Sequence, residues 1–241
     1  MHYVIGDVHG NYKTLLALVE LLPADAELIF VGDLIDRGPK SAEVVSFVRE
    51  NGHSCIKGNH EDFMATLGPE VVSSFLNDTP LYLTNLWHTN GGIDTLISYG
   101  LLKIVNGKPE KVKDYKRALL AFVDDMKWME KLPLYLEFGV KESLNKPIIV
   151  SHAPIADVWE MRDEEEMYST FHNAAITNRI NPGSDAPIFN IFGHTPVKRG
   201  VEVNPYYVNV DTGCYLEKDG YKRLSAYCIE TGETVSAWNV K

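Results

Sequence analysis

Short apolar runs alternate with amphipathic segments through the first quarter of the chain. Three apolar runs of strand length, over residues 2–6, 27–31 and 53–57, each end at or just before a glycine. Between them, apolar residues recur at helical spacing over residues 11–22 and 40–51. The pattern predicts the order strand, helix, strand, helix, strand, which is typical of a parallel sheet with right-handed crossovers.

The pattern changes after the third predicted strand. Apolar spacing favours helices over residues 62–77, about 82–98 and 113–131, with a Gly-Gly pair interrupting the second. No linker-like stretch sets this part of the chain apart. We therefore predict a single domain, residues 1–241, into which residues 62–132 are inserted as a helical cap.

The last third of the chain returns to strand-like runs. Strands are predicted over residues 134–139, 147–150, 187–192, 206–211, 224–230 and 233–238. A Thr-Gly pair between the last two is typical of a hairpin turn. Residues 161–178 fit no single pattern, and we expect a helix followed by a loop there.

Composition and charge narrow the class of protein. The 241 residues are 45% hydrophobic, enough for a sizeable core, and 33 acidic against 23 basic residues give a net charge of −10. An acidic surface argues against broad binding to nucleic acid or to an anionic membrane. No apolar run approaches the roughly 18 residues of a membrane span, and the first predicted strand starts too early for a signal peptide. We therefore expect a cytoplasmic protein.

The chain has three cysteines, Cys55, Cys214 and Cys228, with no Cys-x-x-Cys pair among them. An odd number without close spacing is a poor disulfide framework. We expect free thiols in a reducing compartment, which behave as small apolar residues and have no catalytic role.

Polar side chains follow five of the predicted strands, at the point where each strand ends. They are Asp7 and His9, then Asp33, Asp36 and Arg37, then Asn59, His60 and Glu61, and later His152 and His194. Because ligands bind outside the carboxyl ends of strands in open parallel sheets, we expect these side chains to converge. Carboxylate, imidazole and amide groups are ligands for metals such as Mn, Fe and Zn.

Each of these motifs also has an ordinary structural interpretation. A histidine at a strand end is usually a surface residue or a satisfied core residue, and Asp-Arg-Gly is a common turn. Five polar strand ends in one chain are improbable by chance, so together they predict a metal site. The other histidines have no motif around them, and we assign no functional role to His2, His53, His88 and His172.

Three of these runs resemble the signature motifs of the PPP-type protein serine/threonine phosphatases, in the calcineurin-like metallophosphoesterase superfamily. They are Gly-Asp-x-His-Gly at residues 6–10, Gly-Asp-x-x-Asp-Arg-Gly at 32–38 and Gly-Asn-His-Glu at 58–61. A later Phe-Gly-His-Thr-Pro at 192–196, followed by Asp-Thr-Gly at 211–213, is most similar to bacteriophage lambda phosphatase and its bacterial relatives. The resemblance covers nearly the whole chain, with a loose match in the cap. It implies an α/β fold, a four-layer α/β/β/α sandwich with two mixed β-sheets, helices outside and a small helical cap.

The resemblance implies two divalent metal ions, with Mn²⁺ expected and Fe, Zn or Mg as alternatives. The first ion would be held by Asp7, His9 and Asp33. The second would be held by Asp33, Asn59, His152 and His194, with Asp33 shared between the ions. Two ions about 3.5–4 Å apart can share a hydroxide that attacks phosphorus directly, so no protein nucleophile is required.

The same resemblance implies which residues act on the phosphate. Arg37 and Asn59 would bind phosphate, and His60 would be the general acid that protonates the leaving group. An imidazole suits this role because its ordinary pKa is near 6.5. Asp36 would raise that pKa and fix the tautomer of the ring.

A second phosphate-binding arginine is implied at Arg179. A planar guanidinium can bond two phosphate oxygens at once, which suits the charge that develops on them. The family commonly has Trp where this chain has Thr177, so Arg162 stays open as an alternative for the role.

The first interpretation of the function is a metal-dependent phosphomonoesterase, a protein serine/threonine phosphatase that could also act on phosphotyrosine. The alternative is a dinucleoside polyphosphate hydrolase, such as a diadenosine tetraphosphate hydrolase, on the same fold. Those enzymes resemble this chain in the Arg-Gly-Pro run at residues 37–39. They commonly lack the acid at position 36 and have Asp where Glu61 stands, which favours the phosphatase.

Two further alternatives come from other classes of protein. A binding module that has lost catalysis is disfavoured because no expected ligand is missing. A phosphodiesterase or nuclease is disfavoured by the acidic charge balance and by the Asp-Arg-Gly run. The expected partner is a phosphoprotein or a small phosphorylated substrate, with no nucleic acid and no membrane. The sequence does not indicate whether the protein is a monomer or an oligomer.

Overall fold

The first of two five-stranded sheets contains the three parallel strands predicted at the start of the chain. The computed structural model describes residues 1–240. The strands of this sheet are β1 (His2–Ile5), β2 (Glu27–Phe30), β3 (Ser54–Cys55), β11 (Arg223–Cys228) and β12 (Thr234–Trp238). Their order is β12-β11-β1-β2-β3, with β1, β2 and β3 parallel. The hairpin of β11 and β12 adds antiparallel to β1, so the sheet is mixed.

The second sheet holds the strands from the last third of the chain. They are β6 (Tyr135–Lys141), β7 (Lys146–Ser151), β8 (Phe189–Phe192), β9 (Glu202–Val203) and β10 (Tyr207–Asn209). The order is β6-β7-β8-β10-β9, in which β7, β8 and β10 are parallel and the two outer strands are antiparallel. The short β9 was not predicted, and the other strand bounds differ from the prediction by up to two residues.

Helices cover the outer face of each sheet. They are α1 (Tyr12–Val19), α2 (Ser41–Glu50), α3 (Asn59–Leu76), α4 (Ile93–Ser98), α5 (Lys116–Glu130) and α6 (Tyr168–Thr177). On β1, Ile5 belongs to the apolar cluster that includes Leu15 of α1 and Val44 of α2. The preceding residue, Val4, faces the opposite side of the first sheet and belongs to the apolar cluster that includes Val150 of the second sheet. Strands buried on both faces explain the continuous apolar runs, and the predicted four-layer sandwich is confirmed.

The region between residues 62 and 132 contains a pair of strands besides the helices that were predicted there. It contains an antiparallel hairpin of β4 (Leu102–Val105) and β5 (Lys108–Lys111). Its turn residues Asn106 and Gly107 have φ of 50° and 76°, as a tight two-residue hairpin turn requires. Most of the hairpin side chains are at least partly exposed, so no apolar alternation marked these strands.

The helix expected over residues 82–98 is interrupted at its Gly-Gly pair, as predicted. A π-helical segment, His88–Gly92, lies there, and Gly91 has φ of 110°. One helix start differs from the prediction. The helix expected from residue 62 begins three residues earlier as α3, since the Glu61 carboxylate accepts a hydrogen bond from the Gly58 N–H at 3.0 Å. His60 therefore lies in the first turn of a helix.

Residues 161–178, which fit no single pattern in the sequence, form short 3₁₀ turns first and α6 afterwards. This is the reverse of the expected order of a helix followed by a loop.

All three cysteines are buried and free. In the part of the chain that the structure describes, no helix combines the length and the apolar character that crossing a membrane demands.

Candidate metal centre and active site

The loops that leave β1, β2, β3, β7 and β8 meet at one edge of the two sheets, around the carboxylate of Asp33. One oxygen, Oδ2, lies 3.5 Å from Nε2 of His9 and 3.8 Å from Nε2 of His60. The other oxygen, Oδ1, lies 3.5 Å from Nε2 of His152. Asp33 thus faces a different set of imidazoles with each oxygen, and all four side chains are buried.

A second group of ligand atoms surrounds His152. Its Nε2 lies 3.1 Å from Oδ1 of Asn59 and 3.0 Å from Nδ1 of His194. Asp33, His152 and His194 form one close set of donor atoms, and His9, Asp33 and His60 form another. The two sets share Asp33, which is the arrangement expected of a carboxylate that bridges two ions.

Backbone carbonyls fix the tautomers of two of these histidines. Nδ1 of His9 donates to the carbonyl of Ile35 at 2.8 Å, and Nδ1 of His152 donates to the carbonyl of Val31 at 2.9 Å. Each ring therefore presents the lone pair of Nε2 to the centre. Burial lowers the pKa of both histidines and lowers that of His194 to about 3, so all three rings are neutral at neutral pH, the form in which imidazole binds metals.

The donor set fits a pair of divalent transition metals. Neutral imidazole nitrogens, one amide oxygen and shared carboxylate oxygens suit Mn, Fe or Zn. Nδ1 of His194 lies 3.0 Å from Nε2 of His152, so this is the ring nitrogen that His194 turns toward the centre.

Asp7 is buried like most of the other predicted ligands but contacts a different part of the site. Its two oxygens accept the backbone N–H of His194 at 3.2 and 3.3 Å, and it is part of neither close set of donor atoms. Burial raises the pKa of Asp7 well above its ordinary value, and the charges of Asp211 and Asp33 add to the effect. The structure therefore places Asp7 beside the centre, tied to the loop after β8.

Asp211 is a residue that the sequence analysis did not include in the site. It is buried, its Oδ1 accepts the Gly213 N–H at 2.9 Å, and its Oδ2 has no partner among the described residues. The pKa of Asp211 is raised to about 7, mainly by burial and in part by the charge of Asp33. In the sequence, the Asp-Thr-Gly run at residues 211–213 belonged to the resemblance, but the resemblance implied no role for Asp211.

Glu61 is a second residue whose contribution the sequence did not reveal. Its buried carboxylate accepts the backbone N–H of Asp33 at 2.7 Å, of Leu34 at 2.8 Å and of Gly58 at 3.0 Å. A Cβ on Gly58 would lie 2.3 Å from Oδ1 of Asp33, so only glycine fits there. Glu61 thus holds the loops after β2 and β3 in contact and fixes the position of Asp33.

The predicted acid pair is present and has further partners. Nδ1 of His60 lies 2.5 Å from Oδ2 of Asp36. The same carboxylate accepts hydrogen bonds from Oγ1 of Thr95 at 2.6 Å and from Nε1 of Trp87 at 3.1 Å. Burial lowers the pKa of His60, but the Asp33 and Asp36 carboxylates more than offset this, so the net pKa is raised. A raised pKa favours the protonated form of the ring, which suits a proton donor beside the Asp33 carboxylate.

Two arginines lie at the centre, and a third does not. Arg37 lies 2.5 Å from Nε2 of His9 through its Nη1. The exposed Arg179 donates to Oγ1 of Thr195 at 3.0 Å, and its charge contributes to the lowered pKa of His194. Arg162, in contrast, stacks on Trp159 and pairs with Asp163 at 3.1 Å. The geometry therefore favours Arg179 over Arg162 as the second phosphate-binding arginine.

Backbone conformations in the left-handed region concentrate at the centre. Ten non-glycine residues among 1–240 have positive φ, and five of them are site residues: His9, Asp33, Asp36, Arg37 and His194, with φ between 46° and 72°. Such conformations are uncommon away from glycine and cost on the order of 1–3 kcal/mol each. The surrounding packing must hold them, and the result is that side chains from separate loops turn toward one point.

Comparison with known proteins agrees with this geometry. The family model described as calcineurin-like phosphoesterase matches residues 3–198. The chain belongs to this family. Its members are metallophosphoesterases, so a hydrolase with a metal site is established, whereas the metal and the substrate are not.

Two curated relatives match most of the chain. A bis(5'-nucleosyl)-tetraphosphatase (asymmetrical) of Bacillus subtilis is 27% identical and is matched over 97% of this chain and 92% of its own length. A serine/threonine-protein phosphatase 1 of Salmonella typhimurium is 26% identical over 88% of this chain and 85% of its own length. A solved structure of a candidate diadenosine tetraphosphatase covers all of this chain and 94% of its own, with a TM-score of 0.60 and 17% identity, which shows the shared fold.

Proposed function

We propose that this chain is a metal-dependent hydrolase of dinucleoside tetraphosphates. The observation that carries the proposal is the buried Asp33 carboxylate, placed between two sets of imidazole donors with Arg37 beside one of them. A centre of this kind suits hydrolysis at phosphorus. The substrate class is supported by the full-length similarity to the Bacillus subtilis tetraphosphatase. Dinucleoside tetraphosphates therefore replace phosphoproteins as the first candidate substrates.

The two ions would be held by Asp33 with His9 and Asp7 on one side, and by Asp33 with Asn59, His152 and His194 on the other. When bound, they supply an activated water and neutralise charge on the phosphate. The chain itself contributes two guanidinium groups. Arg37 and Arg179 bind the phosphate oxygens from separate loops and orient the phosphorus, because a planar guanidinium can hold two oxygens.

His60 supplies the proton for the leaving group. Asp36 accepts the Nδ1–H, so the proton available to the leaving oxygen is the one on Nε2. Nε2 lies on the side of the ring that faces Asp33. A leaving nucleotide is a better leaving group than an alkoxide and needs this proton less.

The Asp36–His60 pair therefore favours a second candidate, hydrolysis of phosphate monoesters on serine or threonine. An alkoxide leaving group depends strongly on a general acid. The similarity to the Salmonella typhimurium phosphatase supports the same candidate. Either substrate would use the same metal ligands. The residues that surround the centre would therefore decide which of the two substrates is hydrolysed better.

A direct comparison of substrates tests the proposal. Purified protein with Mn²⁺ is assayed on diadenosine tetraphosphate and on a phosphoserine peptide, and kcat/KM is measured for each. The proposal expects the dinucleotide to have the higher kcat/KM by at least about tenfold, or about 1.4 kcal/mol in transition-state binding. Chromatography of the products separates release of AMP and ATP from release of two ADP. A higher kcat/KM on the phosphopeptide would overturn the proposal in favour of the second candidate.

Asp33→Asn is the matched control for both substrates. Loss of the bridging charge should abolish hydrolysis of dinucleotide and phosphopeptide together. Undiminished activity of the purified Asp33→Asn variant would show that the centre around Asp33 does not carry out the hydrolysis.

A further inference from the structure

The backbone of Arg37 is fixed, but no charged partner holds its side chain. Its φ is 67°, and a Cβ on Gly91 would lie 2.6 Å from its backbone nitrogen, so the inserted region packs directly against it. Within residues 1–240, no carboxylate is close enough to form a salt bridge with its guanidinium. The contact of its Nη1 with Nε2 of His9 uses the nitrogen that is expected to bind a metal. Another contact is therefore needed to orient the guanidinium.

The ring of Tyr215 provides such a contact. The guanidinium of Arg37 lies over this half-buried ring, 4.1 Å from the ring centroid. The same ring meets the imidazole of His9 edge to face, with centroids 4.7 Å apart. A guanidinium that stacks through its face keeps its N–H groups free, because they lie in its plane. The stack can therefore orient Arg37 without using the donors that would bind phosphate.

Tyr215 is carried by a compact loop that follows β10. The backbone N–H of Gly213 donates to Oδ1 of Asp211 at 2.9 Å. The carbonyl of Gly213 accepts the backbone N–H of Leu216 at 3.0 Å and that of Lys222 at 3.1 Å. These bonds close the loop on both sides of Tyr215, so the ring is presented to Arg37 from a fixed backbone.

We propose that Tyr215 is a positioning residue, whose ring holds the guanidinium of Arg37 in the orientation that binds phosphate. The inference rests on the proposed role of Arg37. It applies to either candidate substrate, because both present a phosphate to the same centre. The ring is the group that acts, since the Tyr215 hydroxyl makes no hydrogen bond within residues 1–240.

Three single variants test the assignment. Tyr215→Leu removes the ring, and Tyr215→Phe keeps it. Trp238→Leu is the matched control, because it removes a ring that stacks with Arg223, also at 4.1 Å, on β12. For each variant, kcat, KM and the inhibition constant of inorganic phosphate are measured on p-nitrophenyl phosphate at saturating Mn²⁺. Circular dichroism and thermal melting confirm that each variant is folded.

We expect Tyr215→Leu to raise KM and the inhibition constant of phosphate by about fivefold to tenfold, as loss of a cation–π contact predicts. Tyr215→Phe and Trp238→Leu should keep both constants within about twofold of the wild type. An inhibition constant that Tyr215→Leu leaves unchanged overturns the inference.

A double-mutant cycle shows whether the ring acts through Arg37. In the Arg37→Ala background, Tyr215→Leu should change the inhibition constant of phosphate by less than about twofold. An equal factor of loss in both backgrounds would show an effect independent of Arg37 and would overturn the inference. The Mn²⁺ concentration for half-maximal activity is measured in the same variants, since the ring also meets His9. A rise in this concentration alone, without a change in phosphate inhibition, assigns the ring to His9 and also overturns the inference.

A measurement without turnover separates this inference from the proposed function. The side-chain Nε–H signal of Arg37 is followed by NMR in ¹⁵N-labelled protein with Zn²⁺, and its absence in Arg37→Ala assigns it. The heteronuclear NOE of this signal, which reports fast motion, should be high in the wild type and in Tyr215→Phe and should fall in Tyr215→Leu. If the wild type hydrolyses neither substrate, the proposed function falls and this measurement decides the role of the ring. An NOE that Tyr215→Leu leaves unchanged overturns it.

Discussion

The indole N–H of Trp87 donates to both carboxylate oxygens of Asp36, each at 3.1 Å. Trp87 is completely buried in the region between residues 62 and 132, and Thr95 of the same region donates to Asp36 at 2.6 Å. The inserted region thus contacts the residue that orients His60. A carboxylate that accepts several hydrogen bonds is fixed in one rotamer, so the insertion acts as a support for the proton donor.

We expect Trp87→Phe to lower kcat by about tenfold, because hydrogen bonds to a charged group contribute about 1.5–3 kcal/mol. The ring and its packing remain, so KM should change little. The measurement is steady-state kinetics on a chromogenic aryl phosphate with Mn²⁺. Trp128→Phe, in α5 of the same region, is the matched control and should retain the wild-type kcat. Equal losses in the two variants would show that the insertion contributes stability alone.

His60→Asn should lower kcat by about 10²–10⁴, the range expected for loss of a general acid. The loss should grow as the leaving group becomes poorer, so phenyl phosphate should suffer more than p-nitrophenyl phosphate. Parallel assays of both esters measure this difference. His172→Asn, which removes a partly exposed histidine paired with Asp62, is the control. The same factor of loss on both esters would contradict proton donation by His60.

Arg179→Lys and Arg162→Lys should differ in their effect. Lysine keeps the charge but loses the planar pair of donors, so a bidentate phosphate contact is weakened. We expect Arg179→Lys to lower kcat/KM by about tenfold, whereas Arg162→Lys should leave it within about twofold. Inhibition by inorganic phosphate provides a second measurement, since its inhibition constant should rise only in Arg179→Lys. The reverse pattern would transfer the role to Arg162.

Metal-free protein should lose stability as the pH rises from weakly acidic to weakly basic. The folded protein holds the pKa of Asp211 at about 7, above its ordinary value of 3.8, mainly through burial. Between these two values the folded state binds more protons than the unfolded state. The contribution of Asp211 to the free energy of unfolding therefore falls as the pH rises through this interval. Asp7 and Glu61, whose pKa values burial also raises, act in the same direction. Together these carboxylates oppose the contribution of the three candidate histidine ligands, whose pKa values burial lowers. Divalent ions should restore the loss, because they neutralise the buried carboxylates around Asp33.

Thermal melting in EDTA at about pH 5.5 and about pH 8 measures this effect. The melting temperature should be lower at the higher pH, and Mn²⁺ should raise it most there. Asp211→Asn should reduce the dependence on pH, while Asp219→Asn, at an exposed position, should leave it unchanged. A melting temperature in EDTA that increases with pH would contradict the expected protonation of the centre.

The sequence predicted the strands and the converging ligands because both follow from local patterns. A strand buried on both faces needs consecutive apolar residues, and the polar residues after Ile5, Phe30 and Cys55 mark one edge of the sheet. It did not predict the contacts made by Glu61, since three backbone amides from two loops become its partners only after folding. It also missed the β4–β5 hairpin, although the Asn-Gly turn was visible, because those strands bury little.

The candidate ligands come from both sheets of the sandwich. Asp33 follows a strand of the first sheet, and His152 and His194 follow strands of the second. An ion bound by all three is a removable cross-link between the two halves of the fold, comparable to a disulfide that joins distant parts of a chain. The supply of divalent metal would then govern how firmly the two sheets are joined, as well as whether the enzyme turns over. Chelation should therefore increase hydrogen exchange along β7 and β8, the strands that lead to His152 and His194.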